Sequence, residues 1–377
     1  MNGTMKTLQR SLFGLLLAML VAFAAAQGNG SSEPADADVP TLLSEADFYL
    51  QRGECSLAQY VYQEVLREEE ANEEALVGRG RALACQGGLP LAIESYQQAL
   101  SLNSENLEAL IYLANAYQQQ YQNDPASYGS RLADALDAIQ RAENINRNDA
   151  RVQNSKGLIL YQLNNLEEAQ NALEFAVRLA SADDSKMSGS EKSTIQVNLG
   201  RVYRNLGEYD LARNAFRRGV VFNPASSTAH SHLGQVEVLL ENCEAAEYEL
   251  AQAVSLNPNS LSTRAQLGIG LFECGEEEAS IVEFERAVEM EGSIFVPQVY
   301  TYLARAYLSV GRVDDAIRRA EHGALLPPES AEAFYWLGRS YQQRGGDGDF
   351  ASAREAFERA LEIDSSYIDA REALNQL

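Results

Sequence analysis

Small and large apolar residues recur along this chain in a fixed order, once every 34 residues. A small residue opens each cycle at Gly80, Ala114, Gly157, Gly200, Gly234, Gly268, Ala304 and Gly338. A second follows at Ala92, Ala135, Ala169, Ala212, Ala246, Ser280, Ala316 and Ala353, and four places later stand Tyr96, Ile139, Leu173, Phe216, Leu250, Phe284, Ala320 and Phe357. A third small place closes the set at Ala99, Ala142, Ala176, Gly219, Ala253, Ala287, Gly323 and Ala360. Positions three and four apart share one face of a helix, so each cycle predicts two antiparallel helices whose small residues permit close approach while the large ones fill the space between. Gly87, Gly207, Gly275, Gly311 and Gly345 fall between the two stripes, where a helix C-terminus needs a left-handed residue. Pro224, Pro258 and Pro328 stop the second helix in three cycles. A lone hairpin cannot bury its apolar face, so the hairpins must stack, and the fold class that follows is all-α.

The period and its side chains resemble the tetratricopeptide repeat. Segments such as NLGRVYRNLGEYDLARNAFRRGVVFNP and FYWLGRSYQQRGGDGDFASAREAFERALEID carry the Leu-Gly, Tyr, Ala, Phe, Ala order of that family, and the likeness runs from Val39 to the C-terminus. It implies a right-handed superhelical α-solenoid of about nine helix-turn-helix units, at 39–72, 73–106, 107–149, 150–183, 193–226, 227–260, 261–294, 297–330 and 331–367, with a capping helix at 368–377. Departures are local: about nine extra residues around Asn123 to Arg131, an inserted DSKMSGSEK after the fourth unit, and Gly346-Asp347-Gly348 in the ninth. The first unit is the weakest, with Glu45 at a place usually apolar. A Sel1-type repeat is the minor alternative, and it would insert residues at a shorter hairpin period.

Lys6 and Arg10 precede an apolar run from Leu12 to Phe23, and Ala24-Ala25-Ala26 follows, the pattern of a secretory signal peptide cut after Ala26. The run falls short of the roughly 20 apolar residues needed to span a bilayer. Residues 27–38, QGNGSSEPADAD, have almost nothing to bury and read as a disordered linker. The expected location is therefore outside the cytoplasm, periplasmic or extracellular and most simply bacterial, with no membrane insertion after cleavage. Charge sharpens the partner class. With 30 Lys+Arg against 54 Asp+Glu the net charge is −24, which argues against nucleic acid.

The resemblance further implies that the first helix of each unit lines a concave groove, through places two, five, six, nine, twelve and thirteen. Read there, the sequence offers Asn115, Arg151, Asn154, Tyr161, Asn198, Arg201, Arg204, Asn205, Tyr302, Arg305, Tyr335, Trp336 and Arg339. The acids at these places are Asp47, Glu74, Glu108, Glu273 and Glu332, set against Arg81 and the arginines just named, so the groove is near neutral and positive at its middle. Asn can pair with an extended peptide backbone, Arg with a carboxylate, and Tyr adds apolar area at small entropic cost. The family's clamp for a C-terminal carboxylate is only loosely echoed by Asn115, Asn198 and Arg201, without its lysines.

Candidates for bond chemistry are few. His230 and His232 stand two apart, which on a helix turns them to different sides, and His322 is isolated. There is no Gly-rich phosphate loop, H-E-x-x-H or G-x-S-x-G sequence, so no enzyme activity, catalytic residue, metal or cofactor is expected. In the repeat register Cys55 and Cys85 lie near one edge of neighbouring units, and Cys243 and Cys274 hold nearly the same places further on; an oxidising compartment would permit both pairs to close as disulfides. The resulting expectation is an exported scaffold that binds a protein or extended peptide in its groove. The alternative is a helical accessory subunit of an envelope enzyme, or a structural subunit of an envelope assembly held by its convex face.

Overall fold

The computed structural model describes residues 38–182, 186–290 and 297–377. The leader read at 1–26 lies outside them, as does the linker read at 27–38 except for its last residue. Asp38 is the N-cap of the first helix and accepts a hydrogen bond from the Thr41 amide at 3.1 Å. Nineteen helices follow one another among the described residues. They fall into two compact bodies, divided between Ser104 and Glu105.

The first body holds α1 (Val39–Gln51), α2 (Cys55–Glu68), α3 (Glu73–Cys85) and α4 (Leu89–Leu102). The fully buried Tyr62 and Tyr96 rings lie over Gly78 and Gly80, positions with no room for a Cβ. Cys55 opens α2, Cys85 closes α3, and they are bonded with their Cα atoms 6.1 Å apart. Glu45 is exposed, so its irregular place in the pattern leaves the core untouched.

The second body is an all-α solenoid of stacked hairpins. Its first helices are α5 (Leu107–Asn123), α7 (Ala150–Gln162), α9 (Gly189–Asn205), α11 (Ser227–Leu239), α13 (Leu261–Glu273), α15 (Pro297–Ser309) and α17 (Ala331–Arg344). The returning helices are α6 (Arg131–Ile145), α8 (Leu166–Ala180), α10 (Tyr209–Phe222), α12 (Cys243–Leu256), α14 (Glu277–Val288), α16 (Val313–Ala324) and α18 (Asp349–Ile363), and α19 (Ile368–Asn375) covers the last. Side chains cap many first helices: Asn106, Asp149, Ser226, Ser260 and Ser330 each accept from an amide two or three residues on. The returning helices lack such caps, and α8, α10, α12, α14 and α16 follow a tight turn through a left-handed residue. That residue is Gly207, Gly275 or Gly311 in three hairpins, but Asn164 (φ 61°) and Glu241 (φ 58°) in two others. The stretch DSKMSGSEK is not wholly an insert: α9 starts at Gly189 rather than near Ser193. Ser188 and Glu191 form a reciprocal capping box there, satisfying two amides that would otherwise lack partners. Cys243 and Cys274 are bonded with Cα atoms 5.6 Å apart, tying the start of α12 to the end of α13.

Candidate functional site

Side chains on successive first helices of the second body touch one another across repeats. Ser155 of α7 donates to Asn115 Oδ1 of α5 at 2.8 Å, and Asn198 Nδ2 of α9 donates to Asn154 Oδ1 of α7 at 2.9 Å. Asn205 Nδ2 donates to the Tyr161 hydroxyl at 2.9 Å, and Arg204 Nη1 to Gln235 Oε1 of α11 at 2.6 Å. The asparagines read as peptide-binding groups thus already spend part of their hydrogen-bonding capacity holding repeat to repeat. Asn198, 5% exposed, belongs as much to the interior as to a surface.

The charges on this face sort themselves by partner. Arg151 is ion-paired to Asp149 and to Glu108, each at 2.8 Å, and the hydrogen bonds it donates to Asp149 hold its proton more tightly than usual against the effect of burial. It therefore contributes no net positive charge, and the positive middle expected of the face is left to Arg201 and Arg204. Arg305 lies among the rings of Phe272, Tyr302 and Trp336, 4.6–5.0 Å from their centroids, with Glu273 at 3.9 Å and Glu332 at 4.0 Å. In the first body Arg81 stands 3.6 Å from Asp47. Arg201 and Arg204 differ from all of these. Arg201 stacks over the Tyr161 ring at 5.1 Å, Arg204 reaches only the Gln235 amide, and among the described residues neither is ion-paired to a carboxylate. Burial, and then the neighbouring Arg201 charge, lower the Arg204 pKa below its ordinary value, with Tyr161 opposing.

His232, on the next first helix, registers the same local field. Its ring stacks on Phe216 at 5.4 Å, and its Nδ1 has no hydrogen-bond partner among the described residues. Burial first, then Arg204 and Arg201, push its pKa down from 6.5 to about 4. A histidine whose folded pKa is depressed binds protons more readily when unfolded, so its contribution to stability is complete above pH 6.5 and is lost as pH falls toward 4. The full loss is roughly 3 kcal/mol. Urea titrations at pH 7 and pH 4.5 check this: the wild type should lose more stability between the two than His232→Gln, and equal losses would refute the assignment. His230 turns elsewhere, to Glu249 at 2.6 Å and the Pro224 carbonyl at 3.1 Å, while His322 packs on Tyr300.

Of the remaining predicted positions, Tyr335 is 8% exposed, packed among Trp336, Phe357 and Tyr367, and so belongs to the core rather than to an open surface. Arg339 is exposed and donates to the Tyr335 hydroxyl at 3.1 Å. A cavity of about 540 Å³ lies between the arginine pair and the Arg305 cluster, with Arg204 and Tyr302 both in its wall. Gln235, Gln266 and Ile269 also line it and were missed in the sequence. They occupy groove places of their units, but a choice of Asn, Arg and aromatic side chains passed over glutamines and aliphatic residues.

A family model described as tetratricopeptide repeat matches residues 43–102, 197–260 and 303–368, and a second such model matches 150–183. A TPR repeat-containing protein of Synechococcus elongatus is 34% identical over 139 residues, 36% of this chain and 34% of that protein. The anaphase-promoting complex subunit CDC16 of Saccharomyces cerevisiae is 25% identical over 227 residues, 60% of this chain and 26% of that one. The chain thus spans about a quarter to a third of the length of these relatives. Among solved structures, that of the APC/C hetero-tetramer Cut9–Hcn1 aligns with a TM-score of 0.57 at 14% identity, covering 96% of this chain and 81% of that one, a likeness of fold.

Proposed function

The chain belongs to the tetratricopeptide repeat family, and from that premise we propose that its first-helix face from α7 to α11 captures an extended acidic segment of a partner protein. Repeats of this family make the chain a protein–protein interaction scaffold. The observation that carries the finer reading is the Arg201 and Arg204 pair, which has no carboxylate partner among the described residues of a chain of net charge −24. Two cations held partly out of water, on a rigid helix and beside a tyrosine ring, form a site where an incoming carboxylate gains charge-assisted hydrogen bonds at small ordering cost. The mechanism is recognition, with no bond made or broken and no cofactor called on. The same proposal puts the protein in a bacterial periplasm or outside the cell; supporting this is the pairing of all 4 cysteines in two bridges, a chemistry that persists in oxidising compartments.

A glutamate-rich dodecapeptide and its glutamine counterpart test the groove. The glutamate peptide should bind the wild type, and more weakly as salt rises. The Arg201→Glu/Arg204→Glu variant should lose affinity on the order of tenfold or more. Equal binding of both peptides, or affinity indifferent to both salt and the double substitution, would remove the assignment.

A further inference from the structure

The cavity beside Arg204 has a chemical order of its own. Arg204 of α9 stands in its wall with Gln235 of α11, and Glu273 of α13 is also part of the lining. Between α11 and α13 the lining is apolar, through Val238, Leu239 and Ile269, over a floor formed by Gly270 and Leu250. That floor has a sequence cause. At the corresponding place other first helices carry Ala116, Ile159, Val202, Val236 or Ala306, whereas α13 alone has glycine there. A Cβ on Gly270 would overlap Leu250 Cδ1, so Leu250 reclines into the space that a side chain takes elsewhere. At about 540 Å³ the cavity lies within the ordinary range of ligand pockets and is far larger than a bound water requires.

We propose that this cavity is a specificity pocket for one large aliphatic or aromatic side chain of the bound segment, adjacent in sequence to the acidic residue held by Arg204. The inference rests on the acidic-segment reading above and adds to it the identity of the neighbouring residue. Charge complementarity selects the occupant. A carboxylate is attracted only at the Arg204 end, because Glu273 repels a second one at its own end, even with Arg305 3.9 Å away. The apolar stretch between offers nothing to a polar side chain, which would lose its hydration without gaining a partner. The Gln235 and Gln266 amides in the lining supply donors and acceptors for the backbone that joins the two anchoring residues.

Four capped nonapeptides of Gly and Ser, differing only at two central positions, separate the two readings: Asp-Leu, Asp-Ala, Asn-Leu and Asn-Ala, titrated into the full chain. Asp-Leu should bind on the order of tenfold more tightly than Asp-Ala, the value of the additional buried apolar area. Ile269→Ala should erase most of that preference and leave Asp-Ala binding as it is. Leu239→Ser should do the same, at a position 47% exposed where folding is not in question. Arg204→Gln should weaken both Asp peptides. If Asp-Leu and Asp-Ala bind the wild type equally while both respond to Arg204→Gln, the pocket is refuted and the acidic groove stands. If Asp and Asn peptides bind alike, or none of the four binds, both readings fall.

Discussion

Phe216→Ala is expected to destabilise the second body by about 3–5 kcal/mol, the usual cost of deleting a buried phenyl ring. The ring is 0% exposed and lies against Ala212, Ala229, Leu233 and Val236. It also lies directly over Gly200, where an added Cβ would come within 2.5 Å of its Cε1. The converse substitution is therefore costly too. Gly200→Ala must push a packed ring aside, at about 1–3 kcal/mol. Other repeats show how the conflict is avoided: Gly80, Gly268 and Gly338 face Tyr96, Phe284 and Phe357, whereas Ala114 and Ala304 stand where the partner place holds only Ile139 and Ala320. Gly200→Ala combined with Phe216→Ile reproduces the Ala114 and Ile139 pairing. Its cost, measured by urea denaturation, should fall below the sum of the two single changes by about 1 kcal/mol or more. Strict additivity would show that the two positions do not share the space assigned to them.

The second large effect is expected on opening the Cys243–Cys274 bridge. It closes a loop between positions 31 apart, and its loss should cost roughly 3.5 kcal/mol through the freedom returned to the unfolded chain. Solenoid stability is a sum of repeat and nearest-neighbour contributions, so the loss should appear first in the elements the bridge joins. In the Cys243→Ser/Cys274→Ser variant, amide exchange should accelerate in α12 and α13 before α5 or α6 responds, and the melting temperature should drop. The 55–85 bridge should behave likewise in α2 and α3. Protein from its native compartment that contained four free thiols, or that melted identically with and without reductant, would overturn the structural role given to these bridges.

Much of this architecture was legible because its cause is local. Alternation of small and large residues at helical spacing is enough to specify a hairpin, and its recurrence every 34 residues specifies stacking. Hairpin turns were legible where glycine marks them, at Gly207, Gly275 and Gly311, and obscure where Asn164 and Glu241 adopt the same backbone. Asn tolerates the left-handed region better than most residues, whereas at Glu241 the packing of the flanking helices imposes a positive φ that the side chain does not favour by itself. The beginning of α9 had a readable signal, Ser188 followed by Glu191, but it was outweighed by the polar composition around it.

The candidate site divides along the same line. Repeat register alone determined which side chains lie on the first-helix face, among them Arg201, Arg204, Tyr302 and Arg305, and it brought the cysteines into two matched pairs. Only the tertiary structure decided what each of those side chains is occupied with. Arg151 is spent on Asp149 and Glu108, Asn154 and Asn198 on each other, and Tyr335 on the core, while Arg204 reaches, among the described residues, the Gln235 amide and no carboxylate. The physical reason is one of range. Helical periodicity fixes direction within a helix, but a contact between side chains some 40 residues apart depends on how adjacent hairpins are rotated and offset, and that is set by the packing of every residue between them.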